Sequence, residues 1–148
     1  MEKRGVEKLK RLIGPTVAQF DLHDLIQVII GAGVVAVPTG FQAEAWRIGE
    51  VIPLLNTFIL MIMTFFFLSI FTYFRYHKEH LSANPKYHIL ELTKRVVITY
   101  VFSFIVVSIF LSVIQVNSWS LEALISFKRV VLLTFPAAIG AAVSDTIR

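Results

Sequence analysis

Residues Val51 to Phe74 read VIPLLNTFILMIMTFFFLSIFTYF, a run of 24 residues without one charged side chain. At 1.5 Å per residue a helix of that length reaches about 36 Å, which exceeds the roughly 30 Å of hydrocarbon in a bilayer. The apolar residues follow one another continuously, so the alternating pattern of a barrel strand is absent. Residues Val96 to Val116 form a second uncharged run, of 21 residues. Two membrane-spanning helices follow from these runs alone.

Two weaker runs flank them. Leu25 to Ala43 holds 19 uncharged residues, contains Pro38 and is rich in small side chains (Gly31, Ala32, Gly33, Ala36, Gly40). Val130 to Ser144 has 15, about 22 Å of helix, too short to cross unless it is extended backward to Leu121. The extension places Glu122, Lys128 and Arg129 on the helix. Insertion into one leaflet would leave free backbone groups in lipid, so the full span is expected. The resulting fold class is all-α: a polytopic membrane protein with a bundle of four transmembrane helices and a short amphipathic N-terminal helix at the interface. Residues 1–148 form one membrane domain, with spans at about 25–48, 51–74, 96–116 and 121–144, an interfacial segment at 1–23 and a cytoplasmic loop at 75–95.

Composition agrees. Of the 148 residues 56% are hydrophobic and only 16% charged, with a mean hydropathy of +0.73; a soluble domain carries about a quarter charged residues. There is no cysteine, which removes disulfides, thiolate chemistry and cysteine-bound metals. No short apolar core with a small-residue cleavage site precedes the first span, so a cleaved signal peptide is not expected.

Charge sets the expected orientation. Eleven basic residues lie before span one (Lys3, Arg4, Lys8, Lys10, Arg11), between spans two and three (Arg75, Lys78, Lys86, Lys94, Arg95) and at Arg148, against three on the other side (Arg47, Lys128, Arg129). The positive-inside rule then places both termini in the cytoplasm of a multi-pass protein of the cell (inner or plasma) membrane. The net charge of +4 reads as topology and attraction to anionic headgroups; no aromatic and basic platform for nucleic acid accompanies it. Val6, Leu9, Leu12 and Ile13 recur at helical spacing among lysines and arginines, as in a helix lying in the interface. Asp21 or Asp24 is expected to cap span one.

Small residues four apart, Ala32, Ala36 and Gly40 in span one and Ala137 with Ala141 or Gly140 with Ser144 in span four, permit close approach of backbones in lipid. Spans one and four are therefore expected at the packed centre, with the Phe-rich spans two and three taking more lipid contact.

The end of span one reads Pro38-Thr-Gly-Phe-Gln-Ala-Glu44-Ala-Trp46-Arg-Ile-Gly49. Proline, then glutamate six residues on, tryptophan eight on and glycine eleven on resembles the signature of a family of small prokaryotic integral membrane proteins known as a domain of unknown function. Phe135-Pro136-Ala137-Ala138-Ile139-Gly140-Ala141 is similar to the proline, small-residue and glycine segment of that family's last span. The resemblance implies a membrane fold and no particular activity.

Glu44 is the leading candidate for function. On a span continuing to Gly49 it lies about 7 Å below the outer end, and Arg129 on an extended span four lies about 12 Å from the same face. Ionisable groups within a membrane are costly and tend to mark ion or proton paths, and pairing with Arg129 or Lys128 would offset the cost. The alternative is a wet surface pair of Glu44 with Arg47, three residues along. Pro38 with Gly40, and Pro136 in the other half, are the second candidates, because interrupted spans can offer backbone dipoles to ions. Trp46 and Trp119 are expected as interfacial anchors. Thr99 and Ser103 lie opposite Ser108, Ser112 and Gln115 on the helical wheel, so no single polar stripe traverses span three. His77, His80 and His88 with Glu79 and Glu91 lack a placed third ligand, and no metal or cofactor is expected. No nucleophile, base and orienting group share a depth, so an enzyme is not expected. The functional expectation is permeation of an inorganic ion or small solute by a homo-oligomer. The competing one is a non-transporting membrane module that binds a lipid, signal or partner.

Overall fold

The computed structural model describes residues 22–79, 85–117 and 119–146. The amphipathic segment at residues 2–13, Asp21, His80 and Arg148 lie outside them, as do the side chains of His77, Glu79 and His88.

The described residues form five helices and no strand: α1 Leu22–Gly40, α2 Ala43–Val51, α3 Leu54–Glu79, α4 Pro85–Val113 and α5 Ala123–Thr146. Four of them, α1, α3, α4 and α5, are long and apolar enough to cross a membrane. Neither glycine nor proline interrupts α3, or α4 beyond its first residue, so both extend well past the hydrophobic core thickness. Pro85 opens α4, where a missing N–H costs nothing.

Span one is not a single helix to residue 48. Pro38 has no N–H to donate, α1 stops two residues later at Gly40, and Gln42 is extended (φ −82°, ψ 112°) before α2 begins. The freed end is capped from α2, where the Trp46 indole donates to the Gly40 carbonyl at 2.8 Å. Span two likewise starts later than residue 51. Ile52 precedes Pro53 and is held out of the helical region (ψ 129°) by the proline ring, so α3 starts at Leu54, with the Thr57 amide bonded to the Pro53 carbonyl. The extension of span four reaches back to Ala123: α5 carries Lys128 and Arg129 in its second turn, while Leu121 and Glu122 precede it.

The centre is the contact between α1 and α5. Ala32, Ala36, Ala137 and Ala141 are wholly buried there. A Cβ on Gly31 would stand 2.6 Å from the Gly140 carbonyl oxygen, and one on Gly140 2.7 Å from that of Gly31, so the two backbones touch. Val28, Val107, Leu111, Val130 and Leu133 complete this core. A second one joins Leu68, Val96, Tyr100 and Ala138. Phe58, Phe66, Phe71 and Phe74 of α3 are exposed, as lipid-facing side chains are.

At its far end α4 closes with Gln115 at φ 58°, the left-handed position that ends many helices. The Val116 and Asn117 amides then turn back to the Leu111 carbonyl.

Candidate functional site

Two charged clusters mark the two ends of the bundle. At one end, α1 starts, α5 finishes and the apolar part of α4 begins, which brings together Asp24, Asp145 and Arg95. The Arg95 Nη2 lies 3.2 Å from Asp24 Oδ2 and 3.4 Å from Asp145 Oδ2. All three side chains are largely withdrawn from the surface, Asp24 being 2% and Asp145 9% exposed. One guanidinium thus ties the first and last spans through the third. Charged pairs taken out of water stay only where geometry and hydrogen bonds compensate their lost hydration, and the permanently charged, weakly hydrated guanidinium of arginine suits such a place.

Behind Arg95 the interior stays polar for two turns. Thr99 and Ser103 follow at spacings of four, each about 6 Å deeper along the same face, and both are buried. Ser103 Oγ has no hydrogen-bond partner among the described residues. Arg95, Thr99, Asp145, Thr72 and Thr146 line a crevice of about 10 Å³, room for about one water molecule. Beyond Ser103, Thr64 and Thr134 return their hydroxyls to their own helices, bonding the Leu60 and Val130 carbonyls, and Val107, Leu111 and Leu133 close the middle.

At the other end, Arg129 donates to the Val116 carbonyl at 2.6 Å and pairs with Glu50. Its position depends on Gly49, where a Cβ would meet the Arg129 Cγ at 2.6 Å. α2 therefore lies on the arginine's aliphatic stem.

The expected Glu44 to Arg129 pair is not formed. The break at Gly40 to Gln42 puts Glu44 on the separate helix α2, on its outer face, where it pairs with Arg47 at 3.4 Å and both side chains are three-quarters exposed. Glu50, six residues on, faces the bundle and takes Arg129 instead. Lys128 is half-buried and enters no salt bridge among the described residues. Pro38 and Gly40 shape the end of α1: a Cβ on Gly40 would collide with the Phe110 ring. Pro136 leaves α5 continuous and walls the outer groove between α1 and α5. Trp119 donates to Ser112 Oγ at 3.0 Å.

The cluster of Asp24, Arg95 and Asp145 was not drawn from the sequence, where Arg95 counts as the last basic residue of a loop and Asp24 as a cap. The available signal was that all three border a span at the same expected end. Glu50 could have been found beside Gly49 at the depth of Arg129.

Over residues 24–147 the chain matches the DUF2391 family of integral membrane proteins, and it belongs to that family, whose function is unknown. No curated protein and no solved structure matches it.

Proposed function

We propose that this protein lets a small monovalent cation cross the bilayer, with Asp24, Asp145 and Arg95 as the site that admits it. The observation that carries the reading is the single Arg95 nitrogen shared by two buried carboxylates, backed by the hydroxyls of Thr99 and Ser103. Two carboxylates around a guanidinium form a site already shaped for positive charge, and Arg95 acts as a tethered counter-ion that an incoming cation displaces. Ionisable groups inside membrane proteins commonly serve ion pathways. The described conformation is closed, since Val107, Leu111 and Leu133 fill the middle, and passage requires α4 and α5 to part.

On the positive-inside rule the Asp24 end faces the cytoplasm of the cell membrane. Homo-oligomerisation belongs to the same reading. Its support is an apolar groove of about 580 Å³ between α1 and α5, bordered by Ile30, Val34, Pro136 and Val143, which can seat side chains of a second copy. Cross-linking of Val34→Cys in membranes checks this.

The packed middle favours a second reading, a membrane module that binds a lipid, signal or partner and transports nothing. Reconstitution of the purified protein into liposomes separates the two. Sodium or potassium uptake above that of protein-free vesicles supports transport, and uptake equal to theirs under an imposed gradient leaves the module.

A further inference from the structure

At the Glu50 end, three neighbouring residues bury hydrogen-bonding atoms that no described residue satisfies. Asn117 is 8% exposed and Ser126 is 1% exposed. Among the described residues, neither Asn117 Oδ1 nor Nδ2, nor Ser126 Oγ, nor Arg129 Nε has a hydrogen-bond partner. Their proximity follows from the chain. Ser126 and Arg129 are three residues apart on α5 and so share a face, while Arg129 bonds the carbonyl of Val116, the residue before Asn117.

Leaving such groups dry is destabilising, and native interiors seldom tolerate several together. The set is also chemically mixed: an amide oxygen, an amide N–H₂, a hydroxyl and a guanidinium N–H. That combination matches a small neutral molecule that both donates and accepts, and the positive charge of Arg129 is already met by Glu50. An apolar molecule would satisfy none of these atoms.

We infer that Asn117, Ser126 and Arg129 form a polar binding site for a small neutral hydrogen-bonding molecule, water above all, at the Glu50 end behind the Arg129 to Glu50 pair. The inference goes beyond the proposed transport and does not depend on it. With water held here and polar groups at Arg95, Thr99 and Ser103, the apolar barrier of the closed bundle shrinks to the layer of Val107, Leu111 and Leu133.

The chain has no cysteine, so single thiols can be introduced without background. Ser126→Cys and Val107→Cys, in the full-length protein reconstituted into vesicles, are exposed to Ag⁺ as an aqueous probe. A hydrated site makes Ser126→Cys react roughly tenfold faster or more, because thiol reactivity follows access to water. Equal, slow reaction of both thiols overturns the site. A second measurement guards against a folding defect: Asn117→Leu should lower the unfolding temperature in detergent if a bound molecule is lost, and a rise would mean that the amide was buried dry.

Discussion

Arg95 and Asp145 stand 3.4 Å apart although 50 residues separate them, and the same arginine nitrogen reaches Asp24 at 3.2 Å. The contact fastens α5 to α1 through α4. Removing the arginine would leave two carboxylates in a buried site. Arg95→Met is therefore expected to destabilise the protein by about 3–5 kcal/mol, as loss of one partner from a buried pair does. Glu44→Gln, in an exposed pair, should cost roughly 0.2–1 kcal/mol. Unfolding of the two variants in the same detergent checks the contrast.

The glycines divide in the same manner. A Cβ at Gly31 would lie 2.5 Å from Ser144 Cβ and 2.6 Å from a backbone oxygen, whereas one at Gly33 meets nothing within 4 Å. Gly31→Ala should destabilise by about 1–3 kcal/mol through overpacking. Gly33→Ala should stabilise by up to about 1 kcal/mol, since alanine is the better helix former. Thermal unfolding of the pair reads both signs in one experiment.

Gln115 occupies a left-handed conformation, φ 58°, that glycine adopts without a steric penalty. The side chain is exposed. Gln115→Gly is expected to raise stability by roughly 0.5–1 kcal/mol, measurable as a higher unfolding temperature; a fall would mean that the glutamine side chain holds the turn.

The spans were legible because continuous apolar runs are a direct consequence of the lipid solvent, and the small-residue spacing in Ala32, Ala36, Ala137 and Ala141 marked the central contact. The end of span one was not. Hydropathy continues smoothly from Val37 through Phe41, while the helix ends where Pro38 removes a donor and Trp46 supplies a cap, a bond between residues on different helices. That break turned Glu44 outward and moved Glu50 into its expected place beside Arg129. Arg95 was misplaced for a related reason. Charge counting treats a helix as starting where charges stop, but α4 starts at Pro85 and carries Arg95 into the bundle, where two aspartates receive it.

Cation transport through this cluster is tested most directly by sodium uptake into vesicles containing Arg95→Lys or Asp145→Asn, each checked for correct folding by gel filtration and thermal unfolding. Lysine keeps the charge on a shorter, more flexible stem that does not place a nitrogen where Arg95 Nη2 meets both carboxylates, so an incoming cation displaces it more easily and uptake should rise. Loss of the Asp145 carboxylate should reduce uptake roughly tenfold, equivalent to about 1.4 kcal/mol. Opposite changes in the two folded variants are the expected result. Uptake that is unchanged in both, or absent from the wild-type protein, would contradict the assignment of Asp24, Arg95 and Asp145 as a cation site.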